Sequence, residues 1–115
     1  MKLLLILSIF SLASANVCHC EDTCVQKEEL GRSTWYLLHH MAKANDATDQ
    51  NNFAFTVFMY TLAELYPCAE CREHMQINLQ QAEMPVLDPD WMCKFHNTVN
   101  NQLKKPIYNC SNLKR

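Results

Sequence analysis

The stretch "DPDWMCKFHNTVNNQLKKP", residues 88–106, decides how the chain is read. Asp88 suits an N-cap, because its carboxylate can accept from the free amides of a first helical turn. Pro89 suits the next position, where its missing N–H would have had no partner. Asp90 adds negative charge where the helix dipole favours it. Trp91, Met92, Phe95, Val99 and Leu103 then recur at three- and four-residue spacing, which predicts one apolar helical face, and Pro106 stops it.

The same period runs outward from this helix. Leu30, Thr34, Leu37, Leu38 and Met41 predict a helix over about Lys27 to Ala44. Ala54, Val57, Phe58, Leu62 and Leu65 predict a second over about Phe53 to Leu65. The break at Pro67 starts a third, to about Ala82, with Cys71, Met75, Leu79 and Ala82 on one face. "NDATDQNN" (45–52) and "MPVLDPD" (84–90) are connections. Four helices with short links predict an all-α, antiparallel four-helix bundle. Pro106 to Arg115 is a tail with room for one further turn.

The 115 residues allow one small domain. "MKLLLILSIFSLASA" has Lys2, an apolar run from Leu3 to about Leu12, and the small residues Ala13-Ser14-Ala15, the pattern of a signal peptide cut after Ala15. The run is too short for an ordinary membrane span. The expected location is therefore the secretory pathway (ER lumen) or outside the cell, where cysteines tend to pair. The mature chain would keep 9 basic residues against 12 acidic ones, with no basic stripe to suggest nucleic acid. Gly31 is the single glycine, which excludes the phosphate-cradling loops of Rossmann and P-loop proteins.

All seven cysteines follow residue 15. Cys93 lies on the fourth helix and Cys110 in the tail. A disulfide between them would tie the tail to the bundle, worth about 3 kcal/mol in the chain-entropy picture. Cys68 and Cys71 fall at the start of the third helix, where free amides and the dipole favour a thiolate. Spacing alone leaves several readings for this pair. It could be a static disulfide, a reacting dithiol, or, with His74, part of a zinc site that lacks a fourth ligand. Arg32, Trp35 and His39 share a face of the first helix, while His96, Asn97 and Asn100 sit together on the fourth. Two such stripes could stack on and hydrogen-bond a large planar ligand. Composition by itself favours a non-catalytic, disulfide-stapled secreted helical binding protein.

"LGRSTWYLLH" (Leu30–His39), "LYPCAEC" (Leu65–Cys71), "WMCKFHNTVNNQLKKP" (Trp91–Pro106) and the C-x16-C ending at Cys110 together resemble the ERV/ALR family of FAD-dependent sulfhydryl oxidases. The blocks keep their order and spacing over about Leu30 to Cys110, and it is the combination that is specific. The resemblance implies four helices holding FAD at their mouth, a short fifth helix, and a homodimer. It implies a reaction that turns substrate dithiols into disulfides and O2 into H2O2. Cys68 and Cys71 would be the redox-active pair, with Cys71 next to the flavin ring and Cys68 exchanging with the incoming thiols. Arg32, Trp35, His39, Tyr66 and Cys93 fall on positions that line the flavin or its phosphates. So do His96, Asn97, Asn100, Lys104 and Lys105, and Gly31 matches the helix start beside them. Cys18, Cys20 and Cys24, in residues 16–26 ahead of an oxidase domain over 27–115, could supply a shuttle dithiol, or one or more of them could make a structural or intersubunit disulfide. Two departures stand out: the "CHCEDTC" segment holds three cysteines rather than a plain pair, and the chain stops at "SNLKR" without an aromatic-rich end.

Overall fold

The computed structural model describes residues 26–113. The expected signal peptide and Cys18, Cys20 and Cys24 lie outside the described residues. Four α-helices follow in order: α1 (Lys27–Ala44), α2 (Asp49–Leu65), α3 (Ala69–Gln81) and α4 (Pro89–Gln102). A single 3-10 turn, Cys110–Asn112, takes the place of the expected short fifth helix. There is no strand among the described residues, so the all-α expectation holds. No helix among them is long and apolar enough to cross a membrane.

α1 packs on α4 and α2 on α3. One core joins the two pairs. Leu38 and Ala42 enter it from α1, Phe55, Met59 and Ala63 from α2, Leu79 from α3, Leu87 from the α3–α4 link, and Met92 and Phe95 from α4. The spacings are four and three residues, one turn apart, so each helix presents a narrow apolar ridge. Burying a side chain such as Leu38 or Met59 stabilises the fold by about 1.5–3 kcal/mol.

α4 begins as its sequence dictates, with the Asp88 carboxylate accepting from the Trp91 amide at 2.8 Å and Pro89 at N1. α2 begins at Asp49, four residues before the expected Phe53, because Thr48 caps it: Thr48 Oγ1 accepts from the Asn51 amide at 3.1 Å. The second half of the polar run that reads as a connection, residues 49–52, is thus the first turn of α2. It also serves the neighbouring link, since the Leu87 amide donates to Asn52 Oδ1 at 2.9 Å.

The expected apolar faces are right in period but partly wrong in side. Leu37, Val57, Leu65 and Leu103 are exposed, at 52, 50, 74 and 53%. Neighbours on a helix point about 100° apart, so Leu37 and Leu38 cannot both enter the core. Likewise Phe55, Met59 and Ala63 face inward, while Phe53, Val57 and Tyr60 form a second stripe that faces out.

Candidate active site

The α2–α3 corner carries Cys68 and Cys71, and they form a disulfide, with Cα atoms 5.2 Å apart. Tyr66 caps the end of α2, its amide bonded to the Leu62 carbonyl at 2.9 Å. Pro67 turns the chain. Cys68 then caps α3 from outside the helix, and its Sγ accepts from the Cys71 amide at 3.4 Å. The sequence places both cysteines inside the first turn, whereas only Cys71 is there. The pair differs in cover: Cys68 is 3% exposed and Cys71 is half-buried. Two bonds pin the corner. Arg72 Nη1 donates to the Tyr66 carbonyl at 2.6 Å, and the Tyr66 hydroxyl pairs with Thr34 Oγ1 of α1 at 3.1 Å. On the outer side, Lys27 and Glu70 make an ion pair at 3.0 Å that holds the Glu70 carboxyl below the usual carboxylate range. Among the described residues no three His, Cys, Asp or Glu side chains are grouped to hold a metal.

The second part of the site lies where α1 meets α4. The Trp35 and His96 rings stack, with centroids 3.8 Å apart and planes within 7°. His39 Nε2 and His96 Nδ1 are 2.8 Å apart, so one nitrogen carries the proton and the other accepts it. Burial pushes the His96 imidazole down to about 4, with nearby His39 and Lys105 adding to it. Burial also lowers His39, helped by His40. Both rings are therefore neutral near pH 7, and one face of the His96 ring is taken by Trp35. Thr34 precedes Trp35 on α1, so the Tyr66 hydroxyl ties the dithiol corner to the helix turn that carries this cluster.

The remaining expected contacts take several places. Gly31 lies inside α1, and a Cβ built on it would meet nothing within 4 Å. A helical glycine costs roughly 0.5–1 kcal/mol against alanine. No packing within the described residues requires one here, so Gly31 leaves a bare patch of helix beside exposed Arg32. Lys104 and Lys105 are exposed just past the end of α4. Lys104 has φ 55°, the left-handed conformation that lets the Lys105 amide close back on the Asn100 carbonyl at 2.8 Å. Asn97 is engaged elsewhere. Its Nδ2 donates to the Tyr108 carbonyl at 2.8 Å and its Oδ1 accepts from the Tyr108 amide at 3.0 Å. Asn100 Nδ2 reaches Asn97 Oδ1 at 3.4 Å. Cys93 is disulfide-bonded to Cys110, with Cα atoms 5.8 Å apart, so side-chain amide and disulfide together hold the tail on α4. Thr34 and Arg72 are the site residues that sequence reasoning missed. Thr34 reads as part of an apolar face, and nothing local marks Arg72 as the partner of a helix-end carbonyl. Two shallow hollows, beside Ala42–Ala47 and beside Met41 and Phe58, touch none of the expected contact residues.

Comparison with known proteins identifies the family. The family described as Erv1 / Alr matches residues 32–115. The chain is 40% identical over 90 residues to the FAD-linked sulfhydryl oxidase ERV1 of Oryza sativa, covering 73% of this chain and 46% of that one. It is 39% identical to the mitochondrial FAD-linked sulfhydryl oxidase erv1 of Schizosaccharomyces pombe, covering 71% and 50%. It is 37% identical to the mitochondrial FAD-linked sulfhydryl oxidase ERV1 of Saccharomyces cerevisiae, covering 73% and 48%. The chain thus spans about half the length of the curated relatives it matches. Among solved structures, the FAD binding domain of Erv1 from Saccharomyces cerevisiae aligns with a TM-score of 0.68 and 33% identity, covering 76% of this chain and 89% of that one. One expectation is overturned. Two of these relatives are named mitochondrial, against the expected ER lumen or secretion. That expectation rested on residues 1–15, which lie outside both the matched span and the described residues. A short apolar run after one lysine is a local pattern that does not fix a compartment by itself.

Proposed function

The chain belongs to the Erv1 / Alr family, and from that premise we propose that it is an FAD-linked sulfhydryl oxidase. In this reading it forms disulfides in substrate dithiols through Cys68 and Cys71 and passes the electrons to O2, giving H2O2. The observation that carries the reading is a disulfide at a helix start, tied through Tyr66 and Thr34 to a turn of α1 bearing a neutral aromatic–histidine cluster.

The residues present suit FAD. Trp35 and the uncharged His39 and His96 offer flat surfaces for ring systems. Gly31 leaves bare helix where a bulky group can approach, and Arg32, Lys104 and Lys105 are exposed cations suited to a diphosphate. Bound FAD would supply the two-electron acceptor that dithiol chemistry alone lacks. The protein's own work is to hold the dithiol at the helix start, where the N–H groups of α3 stabilise a thiolate. It leaves Cys71 on the more open side and Cys68 covered. The Cys93–Cys110 bond and Asn97 keep the tail and its two lysines against α4.

We take residues 27–115 as the oxidase domain and Cys18, Cys20 and Cys24 as the source of a shuttle dithiol. Tyr36 and Leu37 on α1 and Phe53, Val57 and Tyr60 on α2 are exposed apolar side chains, which supports a homodimer. A mitochondrial setting, as named for the two yeast relatives, is the one carried to this chain.

The test is to purify the protein under native conditions and measure bound FAD and dithiothreitol-dependent O2 uptake. A yellow protein that consumes O2 supports the reading. A colourless protein that takes up no FAD when it is supplied contradicts it.

A further inference from the structure

We propose that Arg72 is a positioning residue that governs access to Cys68 and so decides which thiols the pair accepts. The proposal rests on the oxidase reading above and adds to it how the pair is guarded.

The starting point is a mismatch between chemistry and cover. A substrate thiolate that enters at Cys68 must approach its Sγ in line with the S–S bond, from the side away from Cys71. Cys68 is 3% exposed, so no thiol can take that line while the corner keeps its position. The corner is short, Tyr66-Pro67-Cys68, and it is strapped. The Arg72 guanidinium, in the first turn of α3, reaches back to the Tyr66 carbonyl at 2.6 Å. The Arg72 amide also donates to the Cys68 carbonyl at 2.9 Å. The Tyr66 carbonyl lies at the end of α2, where carbonyls lack helical partners. A charged donor there makes a stronger bond than water exchange would leave. The Tyr66 hydroxyl anchors the other side of the corner on Thr34 at 3.1 Å. Arg72 thus closes a loop from the start of α3 to the end of α2, with Cys68 inside it. The other nearby charges, Lys27, Glu70, Glu73 and His74, are exposed and do not cross the corner.

Entry then has two stages. The Arg72–Tyr66 bond opens and the corner moves. The substrate thiolate attacks Cys68 Sγ, the Cys68–Cys71 bond breaks, and Cys71 leaves as a thiolate. The second substrate thiolate attacks the substrate sulfur of the mixed disulfide and releases Cys68. The substrate loses two electrons, the pair gains them, and the two thiol protons pass to solvent. Small, mobile thiols need little opening and bulky ones need more, so the strap sets selectivity by size and by how the thiol is presented.

The test uses the full chain with Cys71→Ser, reduced, so that Cys68 cannot pair with Cys71. Alkylation of Cys68 by iodoacetamide and by a bulky maleimide is followed by peptide mass spectrometry. In this background Arg72→Met should speed maleimide labelling of Cys68 about tenfold, the scale of one lost charged hydrogen bond, with a smaller gain for iodoacetamide. Arg72→Lys keeps a donor for the carbonyl and should return the rate close to that of the parent. A folded Arg72→Met protein labelled at the parent rate, or an Arg72→Lys protein as fast as Arg72→Met, overturns the proposal. If Arg72→Met does not fold, Arg72→Gln decides, since its shorter, uncharged side chain cannot replace the guanidinium on the Tyr66 carbonyl: maleimide labelling faster than the parent's supports the strap, and the parent rate overturns it. Labelling needs no turnover. A protein without FAD therefore sinks the oxidase reading and leaves the strap separately measurable.

Discussion

The two disulfides of this domain are the same bond in opposite surroundings. Cys93–Cys110 joins the middle of a helix to the tail across 17 residues. Cys68–Cys71 spans three residues at a helix start. The long link restricts the unfolded chain strongly, and its geometry is fixed further by Asn97, which holds Tyr108 at both backbone atoms. The short link restricts little. What surrounds it instead is a free helix start, a capping sulfur and one half-open partner, all of which bear on reactivity rather than stability. Location, more than the bond, separates the two: one disulfide sits where the chain needs closing, the other where the backbone can stabilise a thiolate, as the proposed redox role requires.

The sharpest way to break that contrast is Cys71→Ser. It should lower dithiothreitol-dependent O2 uptake by about a thousandfold or more while the melting temperature stays within a few degrees and FAD is retained. Unchanged turnover would remove the pair from the chemistry. Cys110→Ser should do the reverse. It should cost about 3 kcal/mol, a fall in melting temperature of roughly 10–20 °C for a domain of this size, with residual turnover at low temperature. A melting temperature that does not move would show that the tail is held by Asn97 alone.

The seam between α1 and α4 adds a pH test. His96 is held down to about 4 in the folded chain, while in the unfolded chain it titrates near its ordinary value of about 6.5. Between those values the unfolded state binds more protons. The stability from the neutral pair is present above about pH 6.5 and is lost as pH falls toward 4. Urea midpoints should therefore drop on going from pH 7 to pH 5. His96→Gln should flatten that drop, and an equally steep drop in the variant would place the acid sensitivity elsewhere.

The smallest effect concerns the end of α4. Lys104 adopts the left-handed conformation that glycine takes without strain. Lys104→Gly should stabilise the FAD-free protein by about 1 kcal/mol and weaken FAD binding in proportion to the charge removed. If stability rises and FAD affinity holds, Lys104 is not among the phosphate contacts.

Much of the fold was legible because its punctuation is local. Asp88, Pro89 and Pro67 fix helix ends through their own backbone chemistry, and Met92 and Phe95 of the α4 ridge follow from spacing alone, while α4 ends at Gln102, ahead of Pro106, where Lys104 turns left-handed. The start of α2 was not legible. Thr48 caps it without charge or proline, and the first turn is polar because it faces solvent and the Leu87 amide. Period also leaves a helix with apolar residues on two sides undecided, which is why Leu37 and Val57 fall on the outer face. At the site, the stripes Arg32/Trp35/His39 and His96/Asn97/Asn100 were visible from spacing, as was the dithiol. The ties between them were not. Thr34 and Arg72 matter only because folding brings the Tyr66 hydroxyl and carbonyl to them, and Asn97 turns to the tail for the same reason. Location in the cell was misread, since it came from residues 1–15, which lie outside the span the family matches.

The central claim is that Cys68 and Cys71 pass electrons from thiols to FAD. The direct measurement is the visible spectrum of the purified protein and of Cys71→Ser without O2, before and after dithiothreitol. The account predicts a flavin band at about 450 nm that fades within seconds to minutes in the native protein and persists in the variant. A native protein whose band does not respond to dithiol, or a Cys71→Ser protein that fades just as fast, would contradict it.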